Sequence, residues 1–368
     1  MDTRQPPPAQ SARASLDSLV RDSKVPGIQY LVVTADKTVY EYAGGWADIA
    51  GRRPMTPETT MMAYSMSKTI TAAAVLQLVE AQRIGLDDPI DRYLDSHPYG
   101  PGITVRDLIS HTSGIPNPIP LRWVHPVERH NAFNEGSALA AVLGEHGRLK
   151  SAPGTRYAYS NIGYWLLGRV VERASGEAFT DYVAGHVLRP LEMRPQELGY
   201  SMPDAGVHAR GYLEKYSWMN LFKGLLVDRE LVGGYEDRWL QIRAHYLNGP
   251  AFGGLIGTAR GFGRFLQDQL RPHSKLFSDA TRARFYETQR TTTDTPVAMT
   301  LGWHIGALDD TVFFYKEGGG GGFHCLMRVY PALGIATVVM TNATGFNVRG
   351  FLDRTDPWFW TTQTGHAQ

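Results

Sequence analysis

The chain has 368 residues, 43% hydrophobic and 20% charged, with a formal net charge of +1. That balance implies a globular fold with a sizeable core, one large domain or two intimately joined ones, and expects neither nucleic acid nor a membrane as partner. A single cysteine, Cys325, excludes an intramolecular disulfide and multi-cysteine metal sites, and the 12 histidines lack metal-helix spacing, so no metal or other cofactor is expected.

Met1–Ala14 is polar, carries Pro6-Pro7-Pro8 and holds no apolar stretch suited to a signal peptide. No run reaches the length of a membrane span, so a cytoplasmic location is expected, with residues 1–13 disordered. Ala14–Asp22 reads as a short amphipathic helix ended before Val25-Pro26-Gly27. Ile28–Thr34 and Val39–Tyr42 read as a hairpin of β-branched and aromatic residues, followed by a loop from Gly44-Gly45 through Asp48–Pro57. The run Thr69–Val79 is apolar nearly all round between Ile70 and Leu76, which predicts a buried central helix, with Arg83-Ile84-Gly85 as its stop.

From Leu86 to about Leu270 the pattern turns to helices and long loops. Thr104–Ser110 is a short helix with threonine as N-cap, and Ala138–Glu145, Ile162–Ala174, Phe179–Val187 and Ala259–Leu270 are further helical segments. Two aromatic-rich loops, Ile115–Phe133 and Gly211–Tyr246, are expected to line a pocket, the second with a helix of its own. Trp123, Tyr212, Trp218 and Tyr235 are candidate wall residues, with core packing the alternative for each. Strands return at Gly302–Ile305, Thr311–Tyr315, Phe323–Val329 and Ile335–Met340, with short connections that imply antiparallel pairing. The expected architecture is α/β of the α+β type. Residues 1–85 and 282–368 build one antiparallel sheet from both termini, covered by helices, and 86–281 form an inserted, mostly helical region. Cys325 falls in a strand and reads as a buried, inert thiol.

Three clusters carry chemistry. Ser65 stands three residues ahead of Lys68 at the head of the buried helix, so both side chains share one face, one turn apart. Free N–H groups and a partial positive charge at that helix end lie beside the serine oxygen. A lysine kept neutral by burial or by neighbouring charge can take the serine proton. The spacing alone recurs on many solvated helices. Tyr159-Ser160-Asn161 follows the Pro153-Gly154 turn at a loop-to-helix junction. A tyrosine there can reach into a cleft, and nearby cations would lower its phenol for proton transfer; the alternative is a packed aromatic beside a capping asparagine. Lys316-Glu317-Gly318-Gly319 ends a strand whose alternation aims one cation at a cleft edge. Its glycines let backbone approach a ligand, and their N–H groups can serve an oxyanion; the alternative is a flexible surface turn.

Taken in order, these clusters resemble the Ser-x-x-Lys, Tyr-x-Asn and Lys/His/Trp-x-Gly motifs of the serine beta-lactamase and penicillin-binding-protein superfamily. The resemblance is to the class C beta-lactamase-like branch, which includes family VIII carboxylesterases. Thr104–Gly114, Gly85–Pro89, Pro153–Asn161 and Gly253–Ala259 agree with it, over roughly Pro26 to Asn342. It implies a beta-lactamase/transpeptidase-like fold, Ser65 as acyl-accepting nucleophile, Lys68 as its proton partner and Tyr159 as general base or acid. It further implies that Asn161 holds the acyl or amide part of the substrate, that Lys316 serves the tyrosine and a substrate carboxylate, and that the backbone N–H groups of Ser65 and Gly319 form the oxyanion hole. Either Lys68 or Tyr159 fits as the acylation base. His111 falls in a structural turn of the resemblance, and the chain lacks the Gly-x-Ser-x-Gly elbow that a Ser-His-Asp reading needs.

One departure bears on substrate. Penicillin-active members carry threonine or serine between the lysine and glycine of the third motif, where this chain has Glu317. A carboxylate there is expected to repel an anionic substrate and partly cancel Lys316, so weak or no beta-lactamase activity is expected. Gly318–Gly322 is expected to open room for a bulkier or uncharged acyl group. The resulting expectation is a serine hydrolase acting on a small-molecule ester, with an amide, a beta-lactam or acyl transfer as alternatives through the same acyl-enzyme. A non-catalytic binding relative is disfavoured by the intact Ser65, Lys68 and Tyr159.

Overall fold

Strands from the two ends of the chain meet in one sheet. The structure is a computed structural model and describes residues 7–119, 123–202, 206–217 and 228–360. From the N-terminal part come β1 (Gly27–Val33), β2 (Thr38–Asp48) and β3 (Arg53–Pro54). From the C-terminal part come β4 (His304–Leu308), β5 (Thr311–Gly320), β6 (Phe323–Tyr330) and β7 (Ile335–Thr341). The order is β4-β5-β6-β7-β1-β2-β3, antiparallel throughout, and the two ends join where β1 pairs with β7.

β1 and β7 are buried along their whole length, which explains why their sequences are mostly apolar, with Gln29, Thr337 and Thr341 the buried polar residues among them. Period-2 alternation sends Ile28, Tyr30, Val32 and Val339 to one face, and Leu31, Val33, Val338 and Met340 to the other. Five helices matter here: α1 (Pro8–Arg21), α2 (Ser67–Glu80), α3 (Asn161–Ser175), α4 (Ala259–Leu270) and α5 (Val348–Thr355). α1 and α5 cover the first face through Ala12, Leu16, Phe351 and Leu352. α2 and α4 cover the second with Ile70, Val75, Phe262 and Phe265. Each large apolar side chain buried this way contributes roughly 1.5–3 kcal/mol.

The local departures from expectation have physical causes. α1 begins at Pro8, so residues 8–13 are helical where disorder was expected; proline is suited to the first helical turn, and Ala12 and Leu16 bury against the sheet. β2 continues through Gly44-Gly45 to Asp48 instead of looping. Gly45, at φ +83°, is where it crosses so close to Pro26 that a Cβ would lie 2.3 Å from that carbonyl oxygen. α2 stops at Glu80 with Gln82 as the left-handed residue (φ 57°), not at Gly85. The described part of Gly211–Tyr246 holds strands; the helix expected within this stretch is not among the described residues apart from a 3-10 turn at Arg229–Leu231, and residues 218–227 lie outside them. Gly211–Glu214, Trp239–Ile242 and Val232–Glu236 join Ala343–Thr344 in a four-stranded sheet, driven by alternation across Trp239–Ile242. The inserted region therefore carries a small sheet besides its helices. No described helix is long and apolar enough to cross a membrane.

Candidate active site

Tyr64–Met66 forms a tight 3-10 turn that runs directly into α2, which puts Ser65 just ahead of the helix and Lys68 in its first turn. Because α2 is buried on nearly every side, Lys68 is fully enclosed and its amine ends inside the protein. Lys68 Nζ lies 3.0 Å from Ser65 Oγ, 2.7 Å from Asn161 Oδ1 and 2.6 Å from the Phe252 carbonyl oxygen. A neutral amine has two N–H donors and one lone pair. Asn161 Oδ1 and the Phe252 carbonyl take the donors, and the lone pair is left for the serine hydroxyl. Burial, and after it the like charge of Lys316, hold Lys68 well below the usual lysine range and select that neutral form.

Asn161 is free for this contact because Ser160 caps α3, its hydroxyl accepting from the Gly163 N–H at 3.0 Å. The capping residue is thus the serine, not the asparagine. Tyr159, just ahead of the cap, places its hydroxyl 2.7 Å from Ser65 Oγ. Its ring lies under both amines, 5.0 Å from Lys68 Nζ and 5.6 Å from Lys316 Nζ. The expectation that these cations lower the phenol is corrected. Burial outweighs the Ser65 hydrogen bond and pushes Tyr159 up, so it is a phenol at neutral pH. His111 sits under the same ring, centroids 4.3 Å apart, and its Nδ1 accepts the Ser160 N–H at 3.1 Å. Burial, then Lys316 and Lys68, push His111 well down, and it props Tyr159 as a neutral ring.

β5 delivers the third cluster. Lys316 points to the α2 face, fully buried, with its Nζ lacking a hydrogen-bond partner among the described residues. Burial lowers it to about 7. Glu317 points to the opposite face, where it accepts from His324 Nε2 at 2.9 Å and ion-pairs with Arg349 of α5. The expectation that Glu317 partly cancels Lys316 is therefore corrected: strand alternation separates them, and Arg349 and His324 meet its charge.

The expectation for the glycine run is corrected at Gly318 and Gly320, while Gly319–Gly321 still line the cavity. A Cβ on Gly318 would lie 2.1 Å from the Ala63 carbonyl oxygen and 2.9 Å from the Ser65 nitrogen, and one on Gly320 would lie 2.5 Å from the Tyr64 ring. The space these glycines leave is filled by residues 63–65, not kept for an acyl group. Cys325 is buried beneath, its thiol donating to the Ala63 and Gly318 carbonyls at 3.1 and 3.2 Å.

Ser65, Tyr159, Asn161 and Gly319 line one cavity of ≈ 320 Å³. Its apolar wall includes Ile119, Val124, Leu231, Ile242, Leu247 and Phe252, with Asp228 also lining it. The wall was not found by counting aromatics. Trp123 packs against Trp165 and Phe252, Tyr212 is buried against Trp239 and Ala343, and Tyr235 is exposed outside the cavity under Lys215. Trp218 lies outside the described residues. Three participants were missed: Tyr64, His245 and the Phe252 carbonyl. Only Tyr64, adjacent to the nucleophile, had a sequence signal.

The chain matches the Beta-lactamase family over residues 12–357. It is 31% identical over 198 residues to a D-aminopeptidase of Brucella ovis (strain ATCC 25840 / 63/290 / NCTC 10512), which is 53% of this chain and 36% of that protein. Its matches span only about a third of the length of such curated relatives. Its fold is similar to that of a D-amino acid amidase from Ochrobactrum anthropi SV3, with a TM-score of 0.80 at 19% identity over 95% of this chain and 98% of the amidase. It is also similar to EstCE1, described as a hydrolase with promiscuous acyltransferase activity, with a TM-score of 0.72 at 20% identity over 96% and 98% of the two chains. The family match runs through all three motifs, two of which meet at the Ser65 hydroxyl while the third packs on the Ser65 turn, and the fold agrees with it: this chain belongs to the Beta-lactamase family.

Proposed function

We propose that this hydrolase cleaves carboxylic esters with uncharged acyl groups through an acyl-Ser65 intermediate, with little or no action on beta-lactams. The observation that carries the reading is the placing of Ser65 Oγ, 2.7 Å from the Tyr159 hydroxyl and 3.0 Å from Lys68 Nζ. Ser65 Oγ attacks the ester carbonyl carbon while its proton moves to the Lys68 lone pair. The Ser65 and Gly319 amides receive the oxyanion, a contribution of about 3–4 kcal/mol per well-aimed donor. As the tetrahedral intermediate collapses, the C–O bond to the alcohol breaks and Tyr159 gives its proton to the departing oxygen, and the proton held by Lys68 then restores the Tyr159 phenol. Water then attacks the acyl-enzyme along the same path, its proton passing to Lys68 and the Ser65 oxygen leaving as hydroxyl. Between the two candidate bases, the depressed amine and the elevated phenol favour Lys68 as the first proton acceptor.

Two features support a neutral substrate. The cavity's described lining carries an acid, Asp228, and no lysine or arginine. Arg349, the cation nearest Glu317, is already held by it. A second reading, amide hydrolysis by the same intermediate, is supported by the names of the D-aminopeptidase and amidase relatives. The test is a panel of p-nitrophenyl esters, the matching p-nitroanilides and nitrocefin, run on the wild type and Ser65→Ala. Turnover of short-chain esters that vanishes in the variant is expected. Ester turnover surviving in Ser65→Ala sinks the assignment, and nitrocefin cleaved as fast as the esters refutes the neutral-substrate reading.

A further inference from the structure

Tyr64 is a bulky residue held at φ 45°, in the left-handed region that costs a non-glycine residue about 1–2 kcal/mol. Such an outlier persists only where the surroundings over-determine it. Here they do. The Tyr64 ring lies against β5 at Gly320, so closely that a Cβ there would stand 2.5 Å from the ring carbons. Its hydroxyl donates to the Gly321 carbonyl at 2.7 Å. His245 lies on the other side of the same hydroxyl. Its Nδ1 donates to the Arg243 carbonyl at 2.9 Å, and its Nε2 lies 3.2 Å from Tyr64 Oη. Both side chains are buried. Two residues before Gly320 on the same strand, Gly318 meets the Ala63–Ser65 backbone directly. The nucleophile turn and the glycine end of β5 thus touch at Gly318, Gly320 and Gly321, and Tyr64 makes two of those three contacts.

We propose that Tyr64 is a positioning residue for acyl transfer: it locks the glycine end of β5 to the Ser65 turn, so that the Ser65 and Gly319 amides converge on one oxyanion. Ring contact at Gly320 sets how near the strand approaches, and the hydroxyl bond to Gly321 sets its height along the strand. His245 packs beside the hydroxyl on the side of the ribbon formed by Val124–Pro126 and His245–Leu247, which walls the cavity. The glycines at 318 and 320 are then the complement of residues 63–65, and the strained Tyr64 backbone follows from the fit. This inference rests on the serine-hydrolase reading.

The test compares the full-length wild type with Tyr64→Phe and Gly320→Ala. It reads kcat and KM on p-nitrophenyl butyrate, the affinity of a phenylboronic acid that forms a tetrahedral adduct on Ser65, and the thermal midpoint. Loss of oxyanion alignment is expected to lower kcat by about 10- to 100-fold in Tyr64→Phe, with KM within about twofold. Boronate affinity should fall by a similar factor, because it shares the tetrahedral geometry. Gly320→Ala, which pushes the strand off the ring, should show the same split and supplies the answer if Tyr64→Phe does not fold. A folded Tyr64→Phe within about twofold of wild-type kcat overturns the proposal, as does a kcat loss with unchanged boronate affinity. A wild type that neither turns over ester nor labels at Ser65 with a fluorophosphonate overturns the hydrolase reading instead.

Discussion

Lys316→Met is expected to make the protein more stable at neutral pH and less active at the same pH. In the folded protein the Lys316 amine is fully buried, lacks a hydrogen-bond partner among the described residues, and is offset only by the faces of Tyr159 and Tyr164, 5.6 and 5.7 Å away. Burial takes it from 10.5 to about 7. In the unfolded chain the same amine stays protonated until about pH 10.5. Between the two values the unfolded state binds more protons, so stability rises with pH across that window and is lowest below it. The arithmetic puts the penalty at about 4 kcal/mol at pH 7, falling toward zero near pH 10.5. Methionine fills similar volume without the penalty. Urea unfolding at pH 7 and pH 10 should show the variant more stable by a few kcal/mol at the lower pH, with the gap closing at the higher. Activity moves the other way. Lys316 is the second cause of the low Lys68 value, so its removal lets Lys68 rise toward protonation. The acid limb of the kcat profile should shift to higher pH, leaving activity depressed at pH 7 and partly recovered at pH 9. A variant less stable than wild type at pH 7, or an unshifted acid limb, would refute this account of two buried amines.

Tyr159→Phe removes the hydroxyl 2.7 Å from Ser65 Oγ and should lower kcat by about 10²–10⁴-fold while the fold is kept, read by steady-state kinetics and circular dichroism. Glu317→Thr frees Arg349, whose charge already acts on His304 beside the Tyr159 ring, so kcat/KM on a succinyl half-ester should rise several-fold while that on a butyrate ester stays level; equal changes for both would contradict the charge argument. Asp356→Ala removes one of the two carboxylates of buried Arg328 and the acceptor of the Tyr330 hydroxyl, while Asp353 stays paired at 2.7 Å, and should cost about 1–3 kcal/mol in urea unfolding without moving KM.

How much of this was legible in the sequence follows from how local each signal is. The buried helix behind Ser65 was legible because its run from Ile70 to Leu76 is apolar nearly all round, and such a run has nowhere to go but the core. Ser65, Lys68, Tyr159 and Lys316 were legible as residue types in order, yet only as pieces. Their meeting depends on α2, α3 and β5 packing together, which no spacing rule contains. Protonation was legible for Lys68, where burial and a neighbouring amine act in the same direction, and misread for Tyr159, where burial opposes the nearby cations and wins. Glu317 was misplaced because adjacency in a strand was taken for adjacency in space, although alternation puts neighbours on opposite faces. The strands within Gly211–Tyr246 were hidden by interspersed glycines and charges, and are held by pairing with one another and with distant Ala343–Thr344.

These successes and failures fall on different parts of the molecule. The atoms proposed to break and form bonds come from the turn ahead of α2, the first turn of α2 and the residues just ahead of α3, with β5 packed against them, and burial fixes this centre: Lys68 and Lys316 are fully enclosed, and Gly318 admits no side chain. Any change there must be compensated by a close neighbour, so the residue types are few and the motifs readable. The cavity wall is assembled from Val124, Ile242 and Leu247, on short strands of the inserted region, and from Leu231, on a 3-10 turn beside them. An apolar side chain of similar size at any of these positions keeps the wall intact, so composition there carries little information. The catalytic core and the specificity wall are thus carried by separate segments under different constraints. A fold built this way can exchange ester, amide or other acyl substrates by altering the inserted strands alone, which is why family membership follows from the motifs while substrate choice must be argued from the cavity.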